Sequence, residues 1–145
     1  MKKHIIFLAF IFSLSFSFIL NAEDLRSKSP HGAKVYFIEP LDGQTISAEL
    51  TVKFGLSGMG VAPAGVNVEN TGHHHLLIDI PGDILPELTQ PLPANEHIKH
   101  FGMGQTQTTI KLEPGRHTLQ LLLGNYLHIP HDKPVLSEKI IIQVK

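Results

Sequence analysis

Three consecutive histidines, His73-His74-His75, follow Gly72 and lead into Leu76-Leu77-Ile78-Asp79-Ile80. The run His73–Ile80 has the residue types of a β-strand. Side chains alternate across a strand, so His73 and His75 share one face with their Cα atoms about 7 Å apart. Two imidazoles at that spacing can close on a single metal ion, and neutral imidazole is the commonest metal ligand. Further histidines follow as His97/His100, His117 and His128/His131. The chain holds 10 His and no Cys, so thiolate ligation and thiol redox chemistry are excluded.

Parity separates the triple. His74 falls on the face that continues as Leu76, Ile78 and Ile80, which is expected to pack into the core as a hydrogen-bonded neutral ring. His73 and His75 fall on the opposite, mixed face with Leu77 and Asp79, as an open chelate that needs a further ligand from elsewhere. His128-Ile129-Pro130-His131-Asp132 offers two. Pro130 has no backbone donor and biases Ile129 towards extended structure, which makes a stiff loop. Asp132 could orient one ring from outside the ligand set, and the same loop could instead be stapled by His-to-carbonyl bonds. His100, beside Phe101-Gly102, is the last candidate. The set is therefore His73, His75, His100, His128 and His131, with copper(II) or zinc as the ion. His117 shares parity with Leu119, Leu121 and Leu123 and reads as structural.

Other chemistries have less to build on. Ser57 and Ser137 lack a Gly-x-Ser-x-Gly context. Gly102-Met103-Gly104 lacks the helix and basic residue of a phosphate loop. Met59 and Met103 read as gap fillers rather than thioether ligands. A catalytic metal would need a nearby base, and Asp79, Glu96 and Asp132 are not distinguished from one another. An enzyme is the third-ranked reading.

The elements that must position these residues are short. Segments 34–38, 50–56, 73–80, 106–112, 117–123 and 139–144 are rich in β-branched residues, aromatics and Leu, and Gly, Pro and Asn separate them. No segment has helical periodicity with caps. Six to seven short strands predict an all-β, immunoglobulin-like antiparallel β-sandwich over residues 33–145. Two connections, Ser57 to Thr71 and Pro81 to Gln105, are longer than a sandwich needs. Loops of that length usually serve function, and the second has room for a helical turn around Ile84–Leu88.

Met1-Lys2-Lys3-His4, the apolar and serine run Ile5–Leu20 and the small residue Ala22 describe a signal peptide over residues 1–22. A retained N-terminal anchor is the alternative. Residues 23–32 are polar and read as a flexible lead-in. Without Lys2, Lys3 and His4 the chain keeps 10 Lys+Arg, 13 Asp+Glu and 9 His, a formal net charge of −3. That balance gives nucleic-acid binding no basic patch. An exported chain without Cys must be stabilised by packing alone, and the periplasm is the expected compartment, with no stable membrane insertion after signal removal.

The strings Phe54-Gly55-Leu56-Ser57-Gly58-Met59-Gly60-Val61-Ala62-Pro63-Ala64-Gly65, Thr71–Asp79, His100-Phe101-Gly102, His117–Leu121 and His128–Asp132 resemble the DUF4399 family over about residues 35–144. The resemblance implies an exported bacterial protein of undefined activity. Met103 departs from the Gly expected in a Gly-rich turn, and His97 lies outside the resembling strings. Two function classes follow. One is a periplasmic divalent-metal binder with a buffering or delivery role. The other is a non-catalytic module that binds another envelope protein or a ligand, with structural histidines.

Overall fold

The computed structural model describes residues 24–81 and 85–145. The signal peptide expected over residues 1–22 lies outside the described residues. The described residues form nine strands: β1 Lys34–Glu39, β2 Thr45–Ile46, β3 Glu49–Ser57, β4 Gly60–Val61, β5 Thr71–Ile78, β6 Ile98–His100, β7 Gln107–Lys111, β8 Gly115–Gly124 and β9 Ile140–Val144. They form one sheet of order β1-β3-β7 and a larger one of order β2-β9-β8-β5-β4, with β6 also paired to β5. The six expected strands are all present. The excess is made of β2, β4 and β6, which are two or three residues long and carry no alternation to read. The pairing is also not purely antiparallel, because β2 runs parallel to β9 and β4 parallel to β5. Among the described residues no helix is long and apolar enough to cross a membrane. Leu85 to Leu88 contains no helical turn, and residues 82–84 lie outside the described residues.

The two sheets bury one core between them. Val35, Val52 and Phe54 of the small sheet meet Leu76, Ile78, Leu119, Leu121, Leu123 and Ile142 of the large one. Alternation alone accounts for this face: Leu76 pairs with Leu121 and Ile78 with Leu119, so their side chains emerge on the same side. His74 lies on it too, its ring 5.1 Å from that of Phe54.

The opposite face of the large sheet is not solvated. Leu77 and Leu122 form a second cluster with Leu92 and Ile98, against which Ile80, Leu85, Leu88 and Leu136 pack. The 81–105 connection supplies most of that cover, with Leu136 from the segment before β9, and β5 is consequently buried from Gly72 to Ile78. A strand covered on both faces carries a nearly unbroken buried run, whereas a half-exposed one alternates. Ile80 belongs to this second cluster and not to the sandwich core. The cause is Asp79, whose φ of 51° breaks the alternation one residue early. Its carboxylate then accepts from Thr118 N at 2.8 Å and meets His117 Nδ1 at 2.7 Å.

The segment expected to be a flexible lead-in lies along the 125–133 loop. Ser27 O accepts from Asp132 N, Leu25 O accepts from Asn125 Nδ2, and Ser29 Oγ donates to Lys133 O. The Asp132 carboxylate takes Lys28 Nζ at 3.0 Å and Ser29 N at 3.1 Å. The expectation that Asp132 orients an imidazole is therefore corrected: its carboxylate fastens the lead-in.

Candidate metal centre

Strand β5 delivers His73 and His75 to the covered face, and both are fully buried, so they do not form the open chelate expected from the sequence. Their rings are 4.7 Å apart. His75 lies directly across from His100 on β6 and from Leu122 on β8. The loop after β8 brings in His128. Asn125 shapes that loop, its Oδ1 accepting from Leu127 N and Ile129 N at 2.9 and 3.1 Å. The resulting turn holds His128 at φ 65°, a left-handed conformation that costs a non-glycine residue roughly 1–3 kcal/mol. The consequence is a ring centred 4.7 Å from His73 and 5.8 Å from His75. Ligand atoms of His73, His75 and His128 lie within 4.8 Å of one another.

The remaining candidates take different places. His100 is half-buried at the rim, its ring 4.4 Å from His75 and stacked 4.9 Å from His128. Its Nε2 meets the Pro93 carbonyl at 3.1 Å. A carbonyl only accepts, so Nε2 carries the proton and Nδ1 the lone pair. His131 does not join the group. Its Cε1 lies 3.0 Å from where a Cβ on Gly72 would stand, on the sandwich-core side of β5. It therefore sits on the wrong face of the strand, with Nε2 donating to Thr71 O at 3.2 Å. Both stapling and ligation were open for the 128–132 loop, and the structure divides them: His131 is a staple and His128 faces the group.

Two glycines that carried no signal in the sequence make the room. A Cβ on Gly124 would come within 2.5 Å of His75 Cε1, and one on Gly72 within 2.6 Å of Gly124 O. Gly124→Ala is expected to displace the His75 ring, to destabilise by about 1–3 kcal/mol as overpacking does, and to weaken any ion bound there. Paired thermal melts and metal titrations would show it. Unchanged values in both would mean that the ring has slack at this point.

The group is electrostatically suited to an ion. Burial is the main cause that pulls His75 down to about 2 and His73 to about 4, reinforced by the neighbouring imidazoles. Burial likewise lowers His100, partly offset by the Pro93 carbonyl. Metal ligation requires neutral imidazole, and these rings are held neutral. His73 Nε2 and His128 Nδ1 share one hydrogen bond of 2.9 Å. His73 Nδ1 and both nitrogens of His75 are buried with no hydrogen-bond partner. Each such orphan costs about 1–3 kcal/mol, and a cation satisfies the lone pair of an imidazole as a proton donor would.

His74 is buried in the core as expected, but the hydrogen bond expected with it is missing, since neither ring nitrogen has a partner. Burial lowers it to about 4, opposed only in part by the Gln105 backbone. His117 differs. Burial opposes its protonation, but Asp79 and the Glu113 carbonyl outweigh that and raise it. Its two ring nitrogens meet two acceptors, at 2.7 and 2.8 Å, which calls for an imidazolium used as a strut.

A pH dependence follows for the metal-free protein. His73, His74 and His75 have folded values below the unfolded value of about 6.5, so the unfolded chain binds more protons and stability rises with pH. Their contribution is complete above about pH 6.5. It drains away as pH falls towards about 4 for His73 and His74, and further for His75. Melting temperatures are expected to drop steeply on acidification over this window, before most carboxylates titrate. A flat profile would contradict the burial of these rings.

The fold and site together define an all-β sandwich with a buried imidazole group at one edge of its larger sheet. The chain belongs to the family described as a domain of unknown function, DUF4399, whose model matches residues 52–145. The match begins within β3 rather than near Val35, and it contains every histidine of the group. No curated protein matches. The X-ray structure of the endo-beta-1,4-mannanase from Thermotoga petrophila is similar at 20% identity with a TM-score of 0.43, over 85% of this chain and 21% of that one. The chain thus spans about a fifth of that enzyme's length.

Proposed function

We propose that this is an exported protein of the bacterial periplasm, an immunoglobulin-like sandwich that holds one divalent transition ion, copper(II) or zinc, on His73, His75 and His128. Its role is buffering or delivery. One observation carries the reading: imidazoles from β5 and from a separate loop converge with buried, unpartnered nitrogens. His74 and His131 also carry unpartnered nitrogens, but they stand apart on the core face, so the convergence of three imidazoles is what supports the reading. Copper(II) binds any nitrogen site more tightly than zinc by the Irving–Williams order, so availability rather than affinity decides the natural ion. The test is metal analysis of native, tag-free protein from the envelope fraction. One equivalent of copper or zinc per chain supports the reading, and metal-free protein that also fails to take up either ion refutes it.

A second reading has its own support. The His73–His128 hydrogen bond satisfies two ring nitrogens without an ion, as expected of a non-catalytic module that binds an envelope partner and uses histidine structurally. Metal stoichiometry separates the two. Export itself predicts a mature chain beginning near Glu23 by mass spectrometry of the envelope fraction. A full-length, membrane-retained product would favour the anchor.

A further inference from the structure

The four rings are arranged as a rhombus and not as a single shell. His75 and His128 occupy its shared middle. His73 lies at the inner end, 4.7 Å from each, and His100 at the outer end, 4.4 and 4.9 Å from the same two. Two overlapping triads result, an inner His73/His75/His128 and an outer His100/His75/His128. Only the inner set converges as it stands. His100 is parked, its ring lying nearly parallel to His128 at 26° and its Nε2 on Pro93 O.

Accessibility runs along the same axis. His73 and His75 are sealed, while His100 and His128 are only partly covered. An ion arriving from solvent therefore meets the His100/His128 end first. The Pro93 carbonyl leaves His100 with its lone pair on Nδ1, and a ligating histidine usually donates its other nitrogen to a carbonyl or carboxylate in this way. At the inner end, His73 Nε2 and His128 Nδ1 stand 2.9 Å apart. Around a tetrahedral ion bonded at about 2.0–2.1 Å, two nitrogens lie roughly 3.3 Å apart, so this pair opens by a few tenths of an ångström on loading, while the triad as a whole, spread over up to 4.8 Å, closes around the ion. The ring proton lost from that bond moves to another nitrogen of the pair or to solvent.

Resting on the metal-binding reading, we infer that His100 is the loading ligand of this site: it captures the divalent ion together with His75 and His128, then exchanges for His73 as the ion moves inward. Only one metal–nitrogen bond breaks and one forms in that step, and no oxidation state changes. Release follows the reverse path. The ion is never stripped of more than one imidazole, so a tightly held ion can still be transferred.

The experiment uses tag-free mature protein and cobalt(II) as a coloured probe, with loading followed by stopped-flow absorbance and release followed into a chelator. His100→Ala removes the ring, and His100→Phe keeps the stack on His128 without a ligand. Both are expected to bind one ion with loading and release slowed together by about tenfold or more, the two rates moving far more than their ratio, because a raised barrier slows both directions alike. His73→Ala is expected to retain an ion in the outer triad, with an altered cobalt spectrum, and His73→Ala/His100→Ala to bind none at this site. Parental loading rates in both His100 variants would overturn the loading role while leaving the metal site intact. A large loss of affinity with unchanged loading would overturn it too, making His100 a resident ligand. Parental protein that binds no ion would remove the functional reading itself, and this inference with it.

Discussion

Replacing His73 and His75 together by alanine is expected to abolish the single high-affinity site for copper(II) or zinc, leaving only weak surface binding. The parental protein should give one transition per chain by calorimetry. The double variant removes two of the three converging rings and leaves His128 with His100, too few for the three or four protein ligands that such sites use. The effect is large because chelate ligands act together, and losing both costs more than twice the loss of one. His131→Ala is a useful contrast. Its ring stands on the core side of β5, so the substitution should alter stability through the lost Thr71 bond while ion stoichiometry stays at one. Binding also weakens as pH falls, since protons compete for the same nitrogens. Tight binding that survives the double substitution would place the ion elsewhere and leave the structural-histidine reading standing.

Ile78→Asp is expected to unfold the domain or come close to it. Ile78 is 5% exposed in the core between the sheets, opposite Leu119 on β8. Its surroundings there are apolar, with Leu76, Leu119, Leu121 and Ile142 in the same cluster. A carboxylate placed there either ionises without a partner or holds its proton at a large cost. A domain of this size has only about 5–15 kcal/mol of stability to lose. Chemical denaturation with circular dichroism would measure the loss. A variant that melts like the parent would mean that Ile78 does not face the core.

The type of fold and the parity of its central strand were legible in the sequence, because both are local. Period-2 alternation along Leu76, Ile78, Leu119, Leu121 and Leu123 follows from the pleat and needs no knowledge of neighbours. The same rule placed His74 in the core and His73 with His75 on the other face. The five candidate ligands were identifiable as residue types for the same reason. What alternation does not contain is whether the second face meets water. That depends on Leu92, Ile98 and Leu136, which arrive from segments remote in the chain, and it turned an expected open chelate into a buried one.

The membership of the group was likewise a tertiary matter. His128 and His131 are three residues apart and alike in sequence, yet a left-handed turn at His128 and the missing side chain of Gly72 send their rings to opposite faces of β5. Gly124 admits the His75 ring, and nothing in its own sequence context distinguishes it from a turn glycine. The sequence by itself determined which residues could ligate and which way the strand turns them. The tertiary structure alone decided which of them meet, and how far from water, because distances between residues remote in the chain are set by packing and not by local periodicity.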